Sequence, residues 1–86
     1  MAHKSYSAIE KELVAAKKRV KVGGTYSHYK NPKHLVKVVA LGTQEATDKV
    51  CVIYHDIANP DVLFVRDLDS WLEMPIKDTP RFKLVE

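Results

Sequence analysis

After Gly23-Gly24 this chain of 86 residues never again sustains a helical period, and that change of texture limits its fold more than any other feature. Downstream of the glycines, apolar residues come in short runs: Thr25 to Lys30, His34 to Leu41, Lys49 to His55, Val62 to Arg66 and Arg81 to Val85. Short β-branched and aromatic runs bounded by Gly, Pro, Asn or Asp read as strands. Asn31-Pro32 predicts a first turn, Gln44 to Asp48 a polar loop, and Ala58-Asn59-Pro60-Asp61 the turn of a hairpin. Asp67 to Leu72 breaks the alternation and suits a single helical or 3₁₀ turn. Pro75 and Pro80 bracket a loop before the last run. The pattern predicts a mainly β fold with one N-terminal helix, a small five-stranded antiparallel SH3-like barrel. A sheet this small curls on itself to bury one face and hide its edges.

Upstream of the glycines the period is helical. Ser7-Ala8-Ile9-Glu10 fits a capping box, and Ile9, Leu13, Ala16 and Val20 follow on one stripe, predicting a helix over 7–20. Gly23-Gly24 stops it. A helix this short is marginal alone, so its stripe must pack on the sheet or on a second copy of the chain. The division expected is an N-terminal helical appendage, 1–22, and a small β-barrel domain, 23–86.

Apolar residues are 45% and charged residues 29% of the chain, which excludes disordered and collagen-like classes. No apolar run approaches the roughly 18 to 20 residues of a membrane-spanning helix, and no apolar leader stands at the N-terminus, so a cytoplasmic protein is expected. The single cysteine, Cys51, cannot form an internal disulfide, and mid-strand between valines it reads as an inert buried thiol. His3, His28, His34 and His55 lack metal-ligand spacing, so no metal or cofactor is expected, apart from copper or nickel chelation at His3 if Met1 is retained.

The formal net charge of +3 conceals a polarity. Residues 1–37 hold nine Lys/Arg against two Glu, and residues 38–86 hold five Lys/Arg against nine Asp/Glu. A basic half can signal nucleic acid, here through Lys17, Lys18, Arg19, Lys21, Lys30 and Lys33. The favoured reading of the cluster from Lys17 to Lys21 is a solvated helix end whose cations complement the negative pole of the helix dipole.

Residues 22–86 carry a further pattern. Gly24-x-Tyr26-x-His28-Tyr29-Lys30 is followed by Val38-x-Ala40, Val52-Ile53-Tyr54, Val65-Arg66 and Pro80-Arg81-Phe82. In this order the motifs resemble the uncharacterised bacterial domain-of-unknown-function family sixteen fifty-three. The chain departs from its pattern at Asn31-Pro32, at Asp67 after Arg66, and at Ala58-Asn59-Pro60-Asp61. The resemblance supports a small β domain and brings no established activity with it.

Among residues able to carry chemistry, Tyr26 and His28 alternate in one strand and share a face. If Tyr29 faces the core, they are presented outward, where Arg66, Trp71 and Arg81 could join them. Flat rings edged by guanidinium groups can stack on a planar ligand or hold a phosphate or carboxylate. The competing and favoured reading makes Tyr26 and Trp71 half-buried wall residues whose polar tips reach water. His28 could titrate near neutrality, but a general base needs a nucleophile and an orienting partner, and a structural role is favoured for it. The resulting expectation is a non-enzymatic binding module for a peptide, nucleotide-like ligand or protein partner, using Tyr26, His28, Arg66, Trp71 and Arg81. Its rivals are a nucleic-acid binder using the basic half and a small hydrolase centred on His28. Self-association through the helix is a separate expectation.

Overall fold

A computed structural model of the chain describes residues 4–86, so His3 and the chelation considered for it lie outside the described residues. Along the chain run α1 (Tyr6–Lys17), β1 (Thr25–His28), β2 (Asn31–Thr43), β3 (Val50–Asp56), β4 (Asn59–Asp67), α2 (Leu68–Trp71) and β5 (Phe82–Leu84). The strands make one antiparallel sheet in the order β4-β3-β2-β1-β5. The mainly β fold with five antiparallel strands and an N-terminal helix is therefore as expected. The ring of strands is not closed, because no backbone ladder joins the edge strands β4 and β5.

Two turns fall elsewhere than their sequence signals indicate. Asn31-Pro32 does not turn; the reversal is at Tyr29-Lys30, with His28 opposite Asn31. His28 Nδ1 accepts the Lys30 N–H at 3.2 Å and Asn31 Oδ1 accepts the Lys33 N–H at 3.2 Å, so polar side chains hold this end of the hairpin. The second hairpin turns at Ile57-Ala58, and Asn59 already opens β4. Pro32 and Pro60 both sit where the ladder is interrupted, over residues 32–34 of β2 and over residues 60–63 of β4 opposite His55. A bulge tolerates a residue that has no N–H to donate.

A third irregularity, between Val38 and Ala40, decides what faces inward along β2. Val36 and Val38 are buried, Val39 is pushed outward, and Leu41 then packs on the core. The core gathers Val20, Tyr26, Val36, Val38, Val52, Tyr54, Trp71 and Phe82. Trp71 is at its centre: it stacks on Phe82 with centroids 3.9 Å apart and planes 7° from parallel, and meets Tyr26 edge-on at 5.2 Å. Through Trp71, α2 ties β5 to the rest of the sheet.

The helix starts earlier than the capping-box reading places it. Ser5 is the N-cap, its hydroxyl accepting from the Ala8 N–H at 3.2 Å, and Ser7 lies inside the first turn. Upstream, the Lys4 N–H donates to Asp48 at 2.9 Å, which anchors the chain just before the cap. The helix ends at Lys17, three residues short of expectation, while Arg19 and Val20 still donate to the Ala16 carbonyl. α1 packs against β2 and β3 of its own chain, burying Ala16, and Val20 just beyond it enters the core. Among the described residues, no helix is long and apolar enough to cross a membrane.

Two adjacent glycines make the passage from helix to sheet possible. Gly23 has φ +85°, a conformation that L side chains rarely adopt. Gly24 is needed for space: a Cβ there would lie 3.0 Å from both the Lys21 carbonyl oxygen and Leu84 Cδ1.

Candidate functional site

Tyr26 and His28 share a face of β1, and their cross-strand neighbours Val36, Leu84 and Phe82 share it with them. That face is the inner one, contrary to the expectation that both side chains point outward. Tyr26 is only 5% exposed, and its hydroxyl accepts the Lys21 N–H at 2.9 Å. Trp71 is 2% exposed in its stack on Phe82. Both aromatic residues of the expected platform are therefore core residues. His28, at the end of β1, stays partly open, its ring edge-on to Phe82 at 5.2 Å.

Arg66 and Arg81 converge on α2 from different elements. Arg66 Nη1 donates to Ser70 Oγ at 3.1 Å, and its guanidinium carbon is 5.4 Å from the Phe82 ring centroid. Arg81 Nε donates to the Ser70 carbonyl at 3.1 Å, while Nη2 reaches Glu73 at 3.0 Å. Its guanidinium lies 6.0 Å from the Tyr29 ring. Arg66 thus joins His28 around Phe82, whereas Arg81 is engaged with Glu73, Ser70 and Tyr29.

Around Phe82 the sheet curves into a concavity of about 440 Å³. Tyr54, Phe64 and Phe82 supply its aromatic surface, and His28, His34, Asp56 and Arg66 its polar groups. The rings form a connected set: Tyr54 is 5.8 Å from Phe64 and 5.8 Å from Phe82, and His28 is 6.4 Å from His34. His34 Nε2 and Asp56 Oδ1 are 2.5 Å apart, so the carboxylate is held by an imidazole. Burial, then the charges of His34, Arg66, Arg81 and Lys30, push His28 below the ordinary histidine value. His28 is therefore held as the neutral ring, consistent with Nδ1 accepting the Lys30 N–H.

Sequence reasoning missed His34, Asp56 and Phe64. His34 and Asp56 meet because Val36 pairs with Asp56, which sets His34 diagonally across the β2–β3 ladder. Phe64 faces inward because it pairs with Tyr54. The signal for all three is strand register, and register depends on bulges that composition does not reveal. For a hydrolase centred on His28, the orienting carboxylate is displaced: Asp56 bonds His34, and His28 Nδ1 is occupied by the backbone.

The basic residues divide into two groups. Lys17, Lys18, Arg19 and Lys21 line a second concavity, of about 500 Å³, beside Tyr26 and Leu84. Lys30 and Lys33 are at the other end of β1, around its hairpin with β2. Cys51 is buried at 3% exposure, with Sγ 3.5 Å from Asp67 Oδ1. Burial first, then that hydrogen bond, pushes its thiol pKa up. Among the described residues no cluster of His, Cys, Asp and Glu could hold a metal ion.

The sequence profile of the family described as "Protein of unknown function (DUF1653)" matches residues 24–84. The match begins at Gly24, ends on β5, and includes the whole sheet and every residue named around Phe82. No curated protein and no solved structure matches the chain. The chain belongs to this family of unknown function.

Proposed function

We propose that this family member is a non-enzymatic binding module whose ligand carries a flat ring and an anionic group, seated in the concavity around Phe82. One observation carries the reading: Arg66, His28 and His34 surround a surface made by Phe64, Tyr54 and Phe82. An aromatic surface takes the ring, and the Arg66 guanidinium and the remaining N–H of His28 take the charge. Arg66 spends one nitrogen on Ser70, which fixes the plane of the guanidinium over Phe82 and pre-orients its remaining donors. Nucleotide-like ligands and acidic aromatic side chains of a peptide share this chemistry. Tyr26 and Trp71 serve the site from beneath, as the packing that holds Phe82 in place. Arg81 serves it by fixing α2. The open, curled sheet, with α2 inserted before β5, supports an SH3-like plan for the scaffold.

Phenyl phosphate is the simplest probe. Calorimetric titration is expected to show it binding more tightly than either phenol or inorganic phosphate, since each supplies half of the recognition. Arg66→Gln should weaken it by about 10- to 100-fold, the loss of a charge-assisted hydrogen bond. Equal affinity for inorganic phosphate, or no effect of Arg66→Gln, contradicts the reading.

The cations from Lys17 to Lys21 support a second reading, nucleic-acid binding, because four of them line one concavity. It requires affinity for a DNA or RNA duplex that falls steeply with salt. Binding that does not weaken between low and high salt removes it.

A further inference from the structure

Asp56 lies among the residues that line the concavity around Phe82, where a carboxylate repels the anion that Arg66 attracts. His34 occupies only part of it. The imidazole bonds Oδ1, while Oδ2 has no hydrogen-bond partner among the described residues and the side chain is 30% exposed. An ionised carboxylate offers about four lone-pair sites, so both oxygens of Asp56 keep capacity for donors that enter from the concavity.

The position of Asp56 gives the concavity a direction. Val52, Tyr54 and Asp56 alternate onto the inner face of β3, where Arg66 stands opposite Val52 and Phe64 opposite Tyr54. Four residues of extended strand, roughly 13 Å, therefore separate the backbone positions of the acceptor and the cation. The Tyr54–Phe64 ring pair lies between them. The facing wall runs in the same order, from His34 to His28 at 6.4 Å, to Phe82 at 5.2 Å and to the Arg66 guanidinium at 5.4 Å. A matching ligand carries its anion at one end of a flat ring system and hydrogen-bond donors at the other. Among nucleobases, guanine meets a carboxylate with two adjacent donors, N1–H and the 2-amino group. Adenine and cytosine set an unprotonated ring nitrogen beside the amino group, and uracil sets its N–H between two carbonyls. A carboxylate repels each of these acceptors, and a peptide main chain presents its N–H groups singly.

We propose that the concavity binds a guanine nucleotide, with the base against Tyr54, Phe64 and Phe82, its N1–H and 2-amino edge on Asp56, and its phosphate at Arg66. This rests on the ring-and-anion reading and names the ring. His34, through its bond to Oδ1, holds the plane in which the carboxylate meets the base. A concavity of about 440 Å³ is of the size that takes a small ligand.

Calorimetric titration of the full chain with guanosine, inosine and adenosine 5′-monophosphates, and with phenyl phosphate, tests this. The guanosine nucleotide is expected to bind at least about tenfold more tightly than the adenosine nucleotide. Inosine, which keeps N1–H and lacks the amino group, should fall between them. Asp56→Asn should cancel that order without weakening phenyl phosphate, whose retained binding reports a folded variant. Should the variant not fold, the order in the native chain still decides. A single-stranded uridine pentamer with one internal guanosine separates a free nucleotide from a base within a strand. It is expected to bind more weakly than the mononucleotide, since a guanidinium holds a terminal dianion better than a diester. Equal or tighter binding assigns the guanine to a strand. Phenyl phosphate bound, with guanosine and adenosine nucleotides equal, overturns the guanine assignment and leaves the ring-and-anion reading in place. Binding of neither phenyl phosphate nor any nucleotide overturns both. A guanosine preference that persists in Asp56→Asn also overturns the proposal.

Discussion

His28 is a ring whose protonation its surroundings disfavour. Its pKa lies below 6.5 because burial and neighbouring positive charges disfavour the imidazolium. As pH falls through the ordinary histidine value, the unfolded chain takes the proton before the folded one does. Stability therefore rises with pH across that window, is lost as pH drops below about 6.5, and levels off beneath the folded-state value. Urea unfolding from pH 7.5 to 5.5 is expected to show this loss in the native chain and a smaller one in His28→Gln; parallel curves would contradict it. Cys51 offers a second check. With burial and Asp67 both raising its pKa, its labelling by iodoacetamide at neutral pH should be at least about tenfold slower than that of a free thiol, and should reach the free rate in denaturant. Its burial was legible from its place between two valines. The inward orientation of Tyr26 was not: strand alternation shows that Tyr26 and His28 share a face, but which face is inside depends on what the neighbouring strands present.

At the scale of the element, α2 does more than its four residues suggest. Its one buried residue, Trp71, stacks on Phe82, and its Ser70 receives Arg66 through the hydroxyl and Arg81 through the carbonyl. Phe82→Ala removes the partner of that stack and is expected to cost about 3–5 kcal/mol, a large part of the 5–15 kcal/mol that stabilises a typical domain. Chemical denaturation would measure it, and a loss under about 1 kcal/mol would show the stack to be unimportant. Ser5→Ala, by contrast, removes only an exposed cap and should cost about 0.5–1 kcal/mol. The existence, type and order of all seven elements could be read from periodicity and turn residues. Their ends could not. Pro32 and Pro60 signal turns in the sequence at positions where the ladder is bulged, and a bulge is a property of two strands together.

For the molecule as a whole, curvature is what links sequence to site. The sheet brings Phe82 of β5 under Arg66 of β4, the two edge strands of the order, so residues 16 apart along the chain and four strands apart in the sheet share one concavity. The fold class followed from the texture change at Gly23-Gly24. The membership of the concavity followed only in part: His28 and Arg66 were legible as chemistry-bearing residues on strands, while His34, Asp56 and Phe64 depended on register. The most direct test of the concavity as a binding site is a set of NMR spectra of histidine, arginine and aromatic side chains recorded during titration with phenyl phosphate. His28, His34, Arg66 and Phe64 are expected to shift together along a single saturation curve, with Tyr29 and the cations from Lys17 to Lys21 unmoved. Shifts confined to those lysines, or none at saturating probe, would contradict the account.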